Sequence, residues 1–353
     1  MKILILALSG IGDALMFTPA LRLLRKEIPG AQIDALVMFK AVKDMFDRNR
    51  DLNNVFHFDF MKEGTLRSLK YIIGFRHKYD ASINVYPSNR KEYNVINFLI
   101  GADKKVAAKY LRKDLQNLGD LNNIRVPEND LTHNVQTNIK LIEKLLDKKC
   151  AEEPRLQFPL KTEDENFAAE YLSANKLNDS DTLIGFHPGS AVLKNQAKRR
   201  WEPEKFAELG KRLIKEKGAR ILIFGGPDEN DLKKDIYKQI NSESCYVVDS
   251  GNLPESAALM AKCSVFISND SGLMHIASSL NLNVVAILGP TNPHYIHPWK
   301  TNYKVVRLNL DCSPCFIYSP RPLICFREDV LFKCMKELTV DMVYDPVVNF
   351  LNQ

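Results

Sequence analysis

Short apolar runs alternate with longer amphipathic stretches over the first 90 residues. The runs at residues 2–8, 32–38 and 81–86 have the length of buried strands, and residues 18–28 carry apolar side chains at helical spacing. This alternation predicts βαβ units, in which helices join parallel strands. Pro19 is expected in the first turn of its helix, where a proline removes no backbone hydrogen bond, or at a kink.

The same alternation returns in the second half of the chain. Apolar runs at residues 182–187, 220–224, 245–248, 264–268 and 284–288 predict further strands, with helical patterns between most of them. Two prolines within residues 154–159 predict an extended linker. We therefore predict an α/β protein with two Rossmann-like, doubly wound domains facing a cleft, residues 1–158 and 159–338. A last helix over residues 339–353 is expected to pack back on the first domain.

Composition narrows the class of protein. The chain has 353 residues, 45% hydrophobic and 26% charged, which suits two globular domains. No apolar run reaches the roughly 18 residues of a membrane span, and the first run is too short for an export signal. A cytoplasmic protein is expected, with peripheral contact to the inner membrane face left open. The formal charge of +6 favours anionic partners such as nucleotide phosphates, a phosphorylated glycan or an acidic membrane face, and no nucleic-acid partner is expected.

The first candidate site follows the first predicted strand, at Ser9, Gly10, Gly12 and Asp13. Glycines there allow a tight turn and a close approach of backbone amides to a ligand. The dinucleotide-binding fingerprint is incomplete, because Leu15 stands where its third glycine belongs and a carboxylate would face the pyrophosphate. Asp13 suits a general base that takes a proton from an acceptor hydroxyl. A helix cap is the equally weighted alternative.

A second candidate site joins the strand at residues 264–268 to a predicted helix, at Asp270, Ser271 and Gly272. Asp270 or Ser271 can cap this helix, whose free first-turn amides and dipole attract an anion such as a diphosphate. His275 is four residues after Ser271, on the same helix face, so both could reach one ligand. The alternative is an ordinary cap with a buried, fully hydrogen-bonded histidine.

A third candidate site combines a glycine turn with basic residues. Gly189 and Ser190 follow the strand at residues 182–187, and Lys198, Arg199 and Arg200 come shortly afterwards. Their charges could hold a leaving diphosphate and offset the negative charge that develops as a sugar leaves. A solvated basic loop is the alternative.

The strand at residues 220–224 also ends in a polar turn, with Gly226, Asp228 and Glu229. Asp228 or Glu229 could accept hydrogen bonds from ribose hydroxyls. Either acid is equally suited to the start of a helix.

Four of the seven cysteines lie close together near the C-terminus. Cys312, Cys315, Cys325 and Cys334 occupy a proline-containing, loop-like segment that opens with a Cys-x2-Cys pair. Four thiolates suit a tetrahedral zinc or iron site, and its role would be structural because no coordination position stays open. The later spacings match no standard zinc module, so reduced thiols or an adventitious disulfide are the alternatives.

Together these motifs make the chain similar to the heptosyltransferases, the ADP-heptose:lipopolysaccharide transferases of glycosyltransferase family nine. Four blocks match in order across nearly the whole chain: residues 8–13 with 19–21, 187–190 with the basic residues before Trp201, 225–228, and 269–275 with 288–291. The chain departs from the family at one position. The family usually has lysine two residues before the tryptophan, whereas this chain has Arg199 there and Lys198 one step earlier.

The resemblance implies a B-type glycosyltransferase (GT-B) fold, inversion at the anomeric carbon and no cofactor or divalent cation in catalysis. It implies a nucleotide-sugar donor, ADP-heptose, and a glycolipid or glycan acceptor such as the lipopolysaccharide core. Asp13 would be the base, Lys198 or Arg199 would bind the donor phosphates, and Asp270, Ser271, Gly272 and His275 would hold the donor.

Other functions remain open from the sequence. A nucleotide-binding oxidoreductase or epimerase is disfavoured by the incomplete glycine fingerprint. A related enzyme could use another sugar nucleotide or a protein acceptor. A metal-stapled, non-catalytic binding protein is a further alternative.

Overall fold

The computed structural model describes residues 1–178, 180–318 and 321–353, apart from the side chain of Leu193. The chain forms two compact units. The first comprises Met1–Pro159 and two short segments around Tyr295 and Tyr318, and the second comprises the remainder. These segments join the first unit because Tyr295 and Tyr318 stack at 5.4 Å and Asn134 Nδ2 donates to the Tyr318 hydroxyl at 2.9 Å. The sequence prediction had given them to the second domain.

The first unit is built on a six-stranded parallel sheet in the order β3-β2-β1-β4-β5-β6. This is the Rossmann order, whose direction reverses between β1 and β4. Its strands and α-helices are β1 (Lys2–Ala7), α1 (Ile11–Glu27), β2 (Gln32–Val37), α2 (Lys40–Phe46), β3 (Asn54–His57), α3 (Thr65–Ile73), β4 (Ala81–Asn84), α4 (Lys91–Ile100), β5 (Lys104–Lys109), β6 (Ile124–Pro127) and α5 (Asn134–Leu146).

The second unit repeats this topology. Its six parallel strands run in the order β12-β11-β10-β7-β8-β9, so the order reverses between β7 and β10. The elements that follow α5 are α6 (Thr162–Ala174), β7 (Leu183–His187), α7 (Pro203–Lys217), β8 (Arg220–Ile223), α8 (Asn230–Ile240), β9 (Cys245–Val247), α9 (Leu253–Met260), β10 (Val265–Asn269), α10 (Gly272–Ser279), β11 (Asn283–Ile287), α11 (Pro293–Ile296), β12 (Tyr303–Val306), α12 (Lys333–Lys336) and α13 (Val340–Leu351).

The central strands are almost wholly buried. From its second residue β1 is apolar and inaccessible, and every residue of β7 and β10 is buried. Parallel strands covered by helices on both faces show such continuous burial rather than alternation. The two doubly wound α/β folds predicted from the sequence are confirmed. Among the described helices, none combines the length and apolar character of a transmembrane segment.

Pro19 does not lie where the sequence analysis expected it. Helix α1 begins at Ile11, so the proline falls within the helix and not in its first turn. A proline there removes the amide that would bond the carbonyl of Leu15. Thr18 supplies another donor, because its Oγ1 donates to that carbonyl at 2.7 Å. The same hydroxyl accepts a hydrogen bond from the amide of Gln157 at 2.9 Å.

The last helix, α13, belongs to the second unit, so the prediction that it packs on the first domain is wrong. Val343 and Val347 are fully buried in the core cluster that also holds Val285 of β11 and Leu209 of α7. Thr339 caps the helix, with its Oγ1 accepting from the amide of Met342 at 3.4 Å. The apolar face of α13 therefore completes the core of the domain that precedes it.

Candidate functional site

A buried histidine links two strand ends at the point where the second sheet reverses its order. His187 ends β7 beside Ser268 of β10. Its Nδ1 lies 2.8 Å from Ser271 Oγ, and its Nε2 lies 3.1 Å from Glu229 Oε2. In open α/β sheets, ligands bind beyond the carboxyl ends of the strands at such a reversal. This network therefore marks the expected ligand site of the second unit.

Arg199 and Asp270 form a buried ion pair at the same strand ends. Asp270 Oδ2 accepts hydrogen bonds from Arg199 Nη1 and, at 2.6 Å, from Thr291 Oγ1. Arg199 Nη2 donates to Gln196 Oε1 at 2.7 Å, and the guanidinium lies 5.3 Å from the ring centre of Phe316. Arg199 Nε is buried and has no hydrogen-bond partner among the described residues. An unpaired buried donor is costly, so this N–H suits an acceptor atom that a ligand supplies.

The start of α10 adds further donors. Ser271 caps the helix, its Oγ accepting from the amide of Met274 at 3.4 Å, and Gly272 is the first helical residue. The other first-turn amides and the positive end of the helix dipole favour an anion. Of the two capping residues that the sequence offered, Ser271 is the cap, and Asp270 is buried beside it in the ion pair with Arg199.

His275 is buried on α10, and one of its ring nitrogens is unsatisfied. Burial lowers its pKa to about 4, although nearby Asp270 favours the charged form. The imidazole is therefore neutral at pH 7 and can offer a hydrogen bond but no charge. Its Nδ1 has no partner within the part of the chain that the structure describes. Among the described residues, therefore, His275 is not a fully hydrogen-bonded core histidine.

The basic residues before Trp201 differ in their exposure to solvent. Lys198 is exposed, whereas Arg199 is only 8% exposed and bonded as described above. Trp201 is buried, and its Nε1 donates to the carbonyl of Leu338 at 3.0 Å. The tryptophan is thus a core anchor that fixes where the preceding basic residues emerge.

Glu229 is the acid of the Gly226 turn that joins the network, while Asp228 is exposed. The Glu229 carboxylate accepts a hydrogen bond from the amide of Gly226 at 3.0 Å and lies 3.3 Å from Arg200 Nη2, in addition to its contact with His187. Burial alone would raise the pKa of Glu229, but the hydrogen bond from His187 and the adjacent charges lower that pKa below its ordinary value. Sequence analysis named this residue only as an alternative to Asp228.

Gly189 and Ser190 are both buried in the turn after β7. The carbonyl of Ser190 accepts from Arg200 Nη2 at 2.6 Å, and its Oγ donates to the carbonyl of Gln196 at 3.2 Å. The turn is therefore fastened to the basic block, which brings together two motifs that the sequence analysis treated as one candidate site.

We expect Gly189→Ala to disrupt this network. A methyl group at Gly189 would lie 1.7 Å from Glu229 Oε1, so the carboxylate must leave its partners. Overpacking and broken buried hydrogen bonds should lower the free energy of unfolding by about 1–3 kcal/mol. Gly226→Ala is the matched control, because a methyl group there meets nothing within 4 Å. Urea unfolding of both variants checks this expectation, and equal losses would contradict it.

In the first unit, Asp13 lies in the helix that follows β1, at the point where that sheet also reverses its strand order. Gly10 occupies the N-cap of α1 and Asp13 the first turn, so Asp13 is not the cap residue. It is half-buried near two tyrosines. Burial, together with the charge of Asp13, raises the pKa of Tyr93 to about 12 and also raises that of Tyr110. The Tyr93 hydroxyl donates to the carbonyl of Leu8 at 2.8 Å.

The loop around Asp13 spans the reversal point of the first sheet. Ser9 Oγ donates to the carbonyl of Pro87, which follows β4, at 2.9 Å. Gly10 is exposed, and Gly12 lies in the first turn of α1. Each unit thus presents its predicted polar residues at its own reversal point.

The four C-terminal cysteines are neighbours in the second unit. In addition to burial, the charges of Cys315, Cys325 and Cys312 raise the pKa of Cys334 to about 11. Cys312 Sγ accepts a hydrogen bond from Arg327 Nη1 at 3.5 Å. Every cysteine is a free thiol, and within the described ranges no group of three or more His, Cys, Asp or Glu side chains is arranged as metal ligands. The structural zinc or iron site stays a prediction.

Comparison with known proteins identifies the family. A family model described as glycosyltransferase family 9 (heptosyltransferase) matches residues 75–321. The chain belongs to glycosyltransferase family 9. The family 9 match includes the whole Arg199, Glu229 and Asp270 region, and the chain is therefore a glycosyltransferase. The interpretation as an oxidoreductase or a non-catalytic binding protein is not retained.

Relatives named as heptosyltransferases match along most or all of the chain. It is 28% identical to lipooligosaccharide heptosyltransferase 2 of Haemophilus ducreyi, over 100% of this chain and 99% of that protein. It is also 28% identical to lipopolysaccharide heptosyltransferase 2 of Escherichia coli, over 87% and 88%.

Solved structures show the same fold. ADP-heptose lipopolysaccharide heptosyltransferase II of E. coli superposes with a TM-score of 0.75 at 22% identity, covering 100% of this chain and 99% of that one. A family 9 glycosyltransferase of Veillonella parvula gives a TM-score of 0.71 at 24% identity, covering 86% and 85%.

Proposed function

We propose that this chain transfers heptose from ADP-heptose to a lipopolysaccharide core or related glycan, with inversion at the anomeric carbon. The observation that carries the proposal is the start of α10, where Arg199 Nε and His275 Nδ1 are buried without described partners. The names of the full-length relatives support both the donor and the class of acceptor.

The donor diphosphate binds at the start of α10 in this proposal. Arg199 Nε and the free amides after Ser271 donate to phosphate oxygens, and His275 adds a neutral hydrogen bond. The exposed Lys198 contributes a second positive charge from solvent. The predicted donor-binding residues all lie in the segments that follow β7, β8 and β10, including the first turn of α10: Gly189, Ser190, Lys198, Arg199, Gly226, Asp228, Asp270, Ser271, Gly272 and His275.

The ribose is proposed to bind beside the turn at Gly226. The Glu229 carboxylate is already hydrogen-bonded to His187, Arg200 and the amide of Gly226, and these contacts fix the turn. Asp228 is exposed next to it and keeps its oxygens for ribose hydroxyls. The two adjacent acids thereby take different roles.

Asp13 is proposed as the general base of the reaction. Its carboxylate takes the proton of an acceptor hydroxyl while that oxygen attacks the anomeric carbon of the donor sugar. The new glycosidic bond forms as the bond from the anomeric carbon to the diphosphate oxygen breaks, and ADP leaves with the electron pair. Ser9 and Gly10 shape the turn between β1 and α1, and Gly12 lies beside the base in the first turn of α1.

Charge stabilisation in this step comes from the chain itself. Negative charge grows on the leaving diphosphate, and Arg199, Lys198 and the dipole of α10 are arranged where they can offset it. We therefore propose that transfer needs no divalent cation. Residues 1–158 would bind the acceptor, and residues 159–338 the donor.

A transfer assay with product mass spectrometry tests this function. Purified protein is incubated with heptose-deficient envelope glycolipid in parallel reactions. Each reaction contains one class of sugar nucleotide, ADP-heptose, UDP-sugars or GDP-sugars, and is run with and without EDTA. We expect a mass increase of one heptose with ADP-heptose only, unchanged by EDTA. Faster transfer from another sugar nucleotide would refute the donor, and a mass increase found only on protein would refute the acceptor.

A further inference from the structure

Helix α3 exposes an apolar stripe on the first unit. Leu66, Leu69 and Ile73 are 84%, 40% and 50% exposed, respectively. At 3.6 residues per turn, the three side chains lie within a sector of about 60°. Ile72, in contrast, is buried and anchors the helix to the core of the unit. The exposed stripe is therefore distinct from the face that packs inward.

Aromatic packing holds this stripe in place. Tyr71 stacks on Phe58 at 4.1 Å, and Phe75 packs edge-on against Phe56 at 5.2 Å. These contacts fix α3 on the edge of the sheet near β3. The apolar stripe is thus presented by an ordered helix and needs no folding step before it can bind.

The surroundings of the stripe are strongly basic. Residues 61–78 contain five basic side chains and one acidic side chain, and all the basic ones are exposed: Lys62, Arg67, Lys70, Arg76 and Lys78. Glu63 pairs with Arg67 at 2.6 Å, and Asp59, just before the segment, pairs with Lys62 at 3.5 Å, so the net positive charge comes from Lys70, Arg76 and Lys78. Met61, 57% exposed, extends the apolar surface at the start of this segment.

We propose that α3 and residues 61–64 form a docking surface for an anionic lipid bilayer. An apolar stripe with basic side chains beside it is the pattern of a helix that lies in the membrane interface. Leu66, Leu69 and Ile73 enter the boundary between headgroups and acyl chains, while Lys70 and Arg76 meet lipid phosphates. A glycolipid acceptor, where the proposed function holds, would be presented on the same surface of the membrane.

Vesicle co-sedimentation of the full chain tests this docking surface. Vesicles of phosphatidylcholine alone are compared with vesicles that also contain phosphatidylglycerol, at low and high salt. We expect binding that requires phosphatidylglycerol and weakens as salt rises, because screening shortens the reach of the charges. Leu66→Gln/Leu69→Gln/Ile73→Gln should lower the binding constant at least about tenfold, since three apolar contacts with lipid are lost.

Leu115→Gln/Leu131→Gln is the matched control, because these leucines of the same unit are 74% and 73% exposed. It should bind vesicles like the unchanged chain. Equal loss in the control, or undiminished binding of the α3 variant, would overturn the proposal. A dimer seen by light scattering that the α3 variant abolishes would also overturn it, by assigning the stripe to a second copy. Vesicle binding requires no donor, and ADP affinity measured on the same variants reports the proposed transfer site separately.

Discussion

Asp13→Asn is expected to lower turnover by about 10²–10⁴-fold, the usual contribution of a positioned general base. The substitution keeps the shape of the side chain but removes the group that accepts the proton. Asp13 lies in the first turn of α1 and is not its cap, so the substitution removes no capping hydrogen bond. Donor affinity should stay unchanged, because the proposed donor residues all lie in the second unit. Steady-state transfer assays and ADP titration separate the two quantities.

Asp231→Asn is the matched control for a first-turn acid, since Asp231 occupies the first turn of α8. A loss that comes only from the helix dipole should be about 0.3–1 kcal/mol of stability in either variant, with no change in turnover. The pH profile gives a further distinction: the unchanged chain should lose activity as its base becomes protonated, and Asp13→Asn should lack that limb. Turnover of Asp13→Asn close to that of the unchanged chain would remove Asp13 from the mechanism.

Arg199→Met is expected to reduce both transfer and stability. Loss of a preorganised charge next to the leaving diphosphate should lower turnover by about 10²–10³-fold. The same change leaves Asp270 buried beside Thr291 without its cation, which should cost about 3–5 kcal/mol of unfolding free energy. Urea unfolding and transfer assays measure the two effects.

A double variant separates these roles of Arg199. Arg199→Met/Asp270→Asn removes both charges of the pair, so stability should largely return while transfer stays low. Lys198→Met is the neighbouring control, and it should leave stability unchanged because Lys198 is exposed. If Lys198→Met abolished transfer and Arg199→Met did not, the phosphate contact would belong to Lys198.

Much of the fold was readable because buried parallel strands carry continuous apolar runs. β1, β7 and β10 were predicted from such runs, and their polar ends led to the candidate sites. β5 was not predicted, because its residues 104–109 read Lys-Lys-Val-Ala-Ala-Lys and resemble a solvated basic face. The position of α13 was also missed, since an amphipathic pattern does not say which core the apolar face completes.

The sequence also left parts of the candidate site undecided. The sequence identified the turn at Gly226 but could not decide which adjacent acid points inward, and the structure selects Glu229 through His187 and Arg200. It also could not separate the roles of Lys198 and Arg199. Their difference in burial arises from Asp270, a partner 71 residues away from Arg199 along the chain. Pairings of this kind are set by topology and leave no local signal.

The central claim is that the diphosphate of the sugar nucleotide binds at the start of α10 and accepts a hydrogen bond from the buried Nε–H of Arg199. A crystal structure of the full chain with ADP-heptose, or with a non-transferable analogue, tests this claim directly. We predict a phosphate oxygen about 2.7–3.1 Å from Arg199 Nε and from a first-turn amide of α10. A diphosphate bound elsewhere, with Arg199 Nε still unpaired, would contradict the claim.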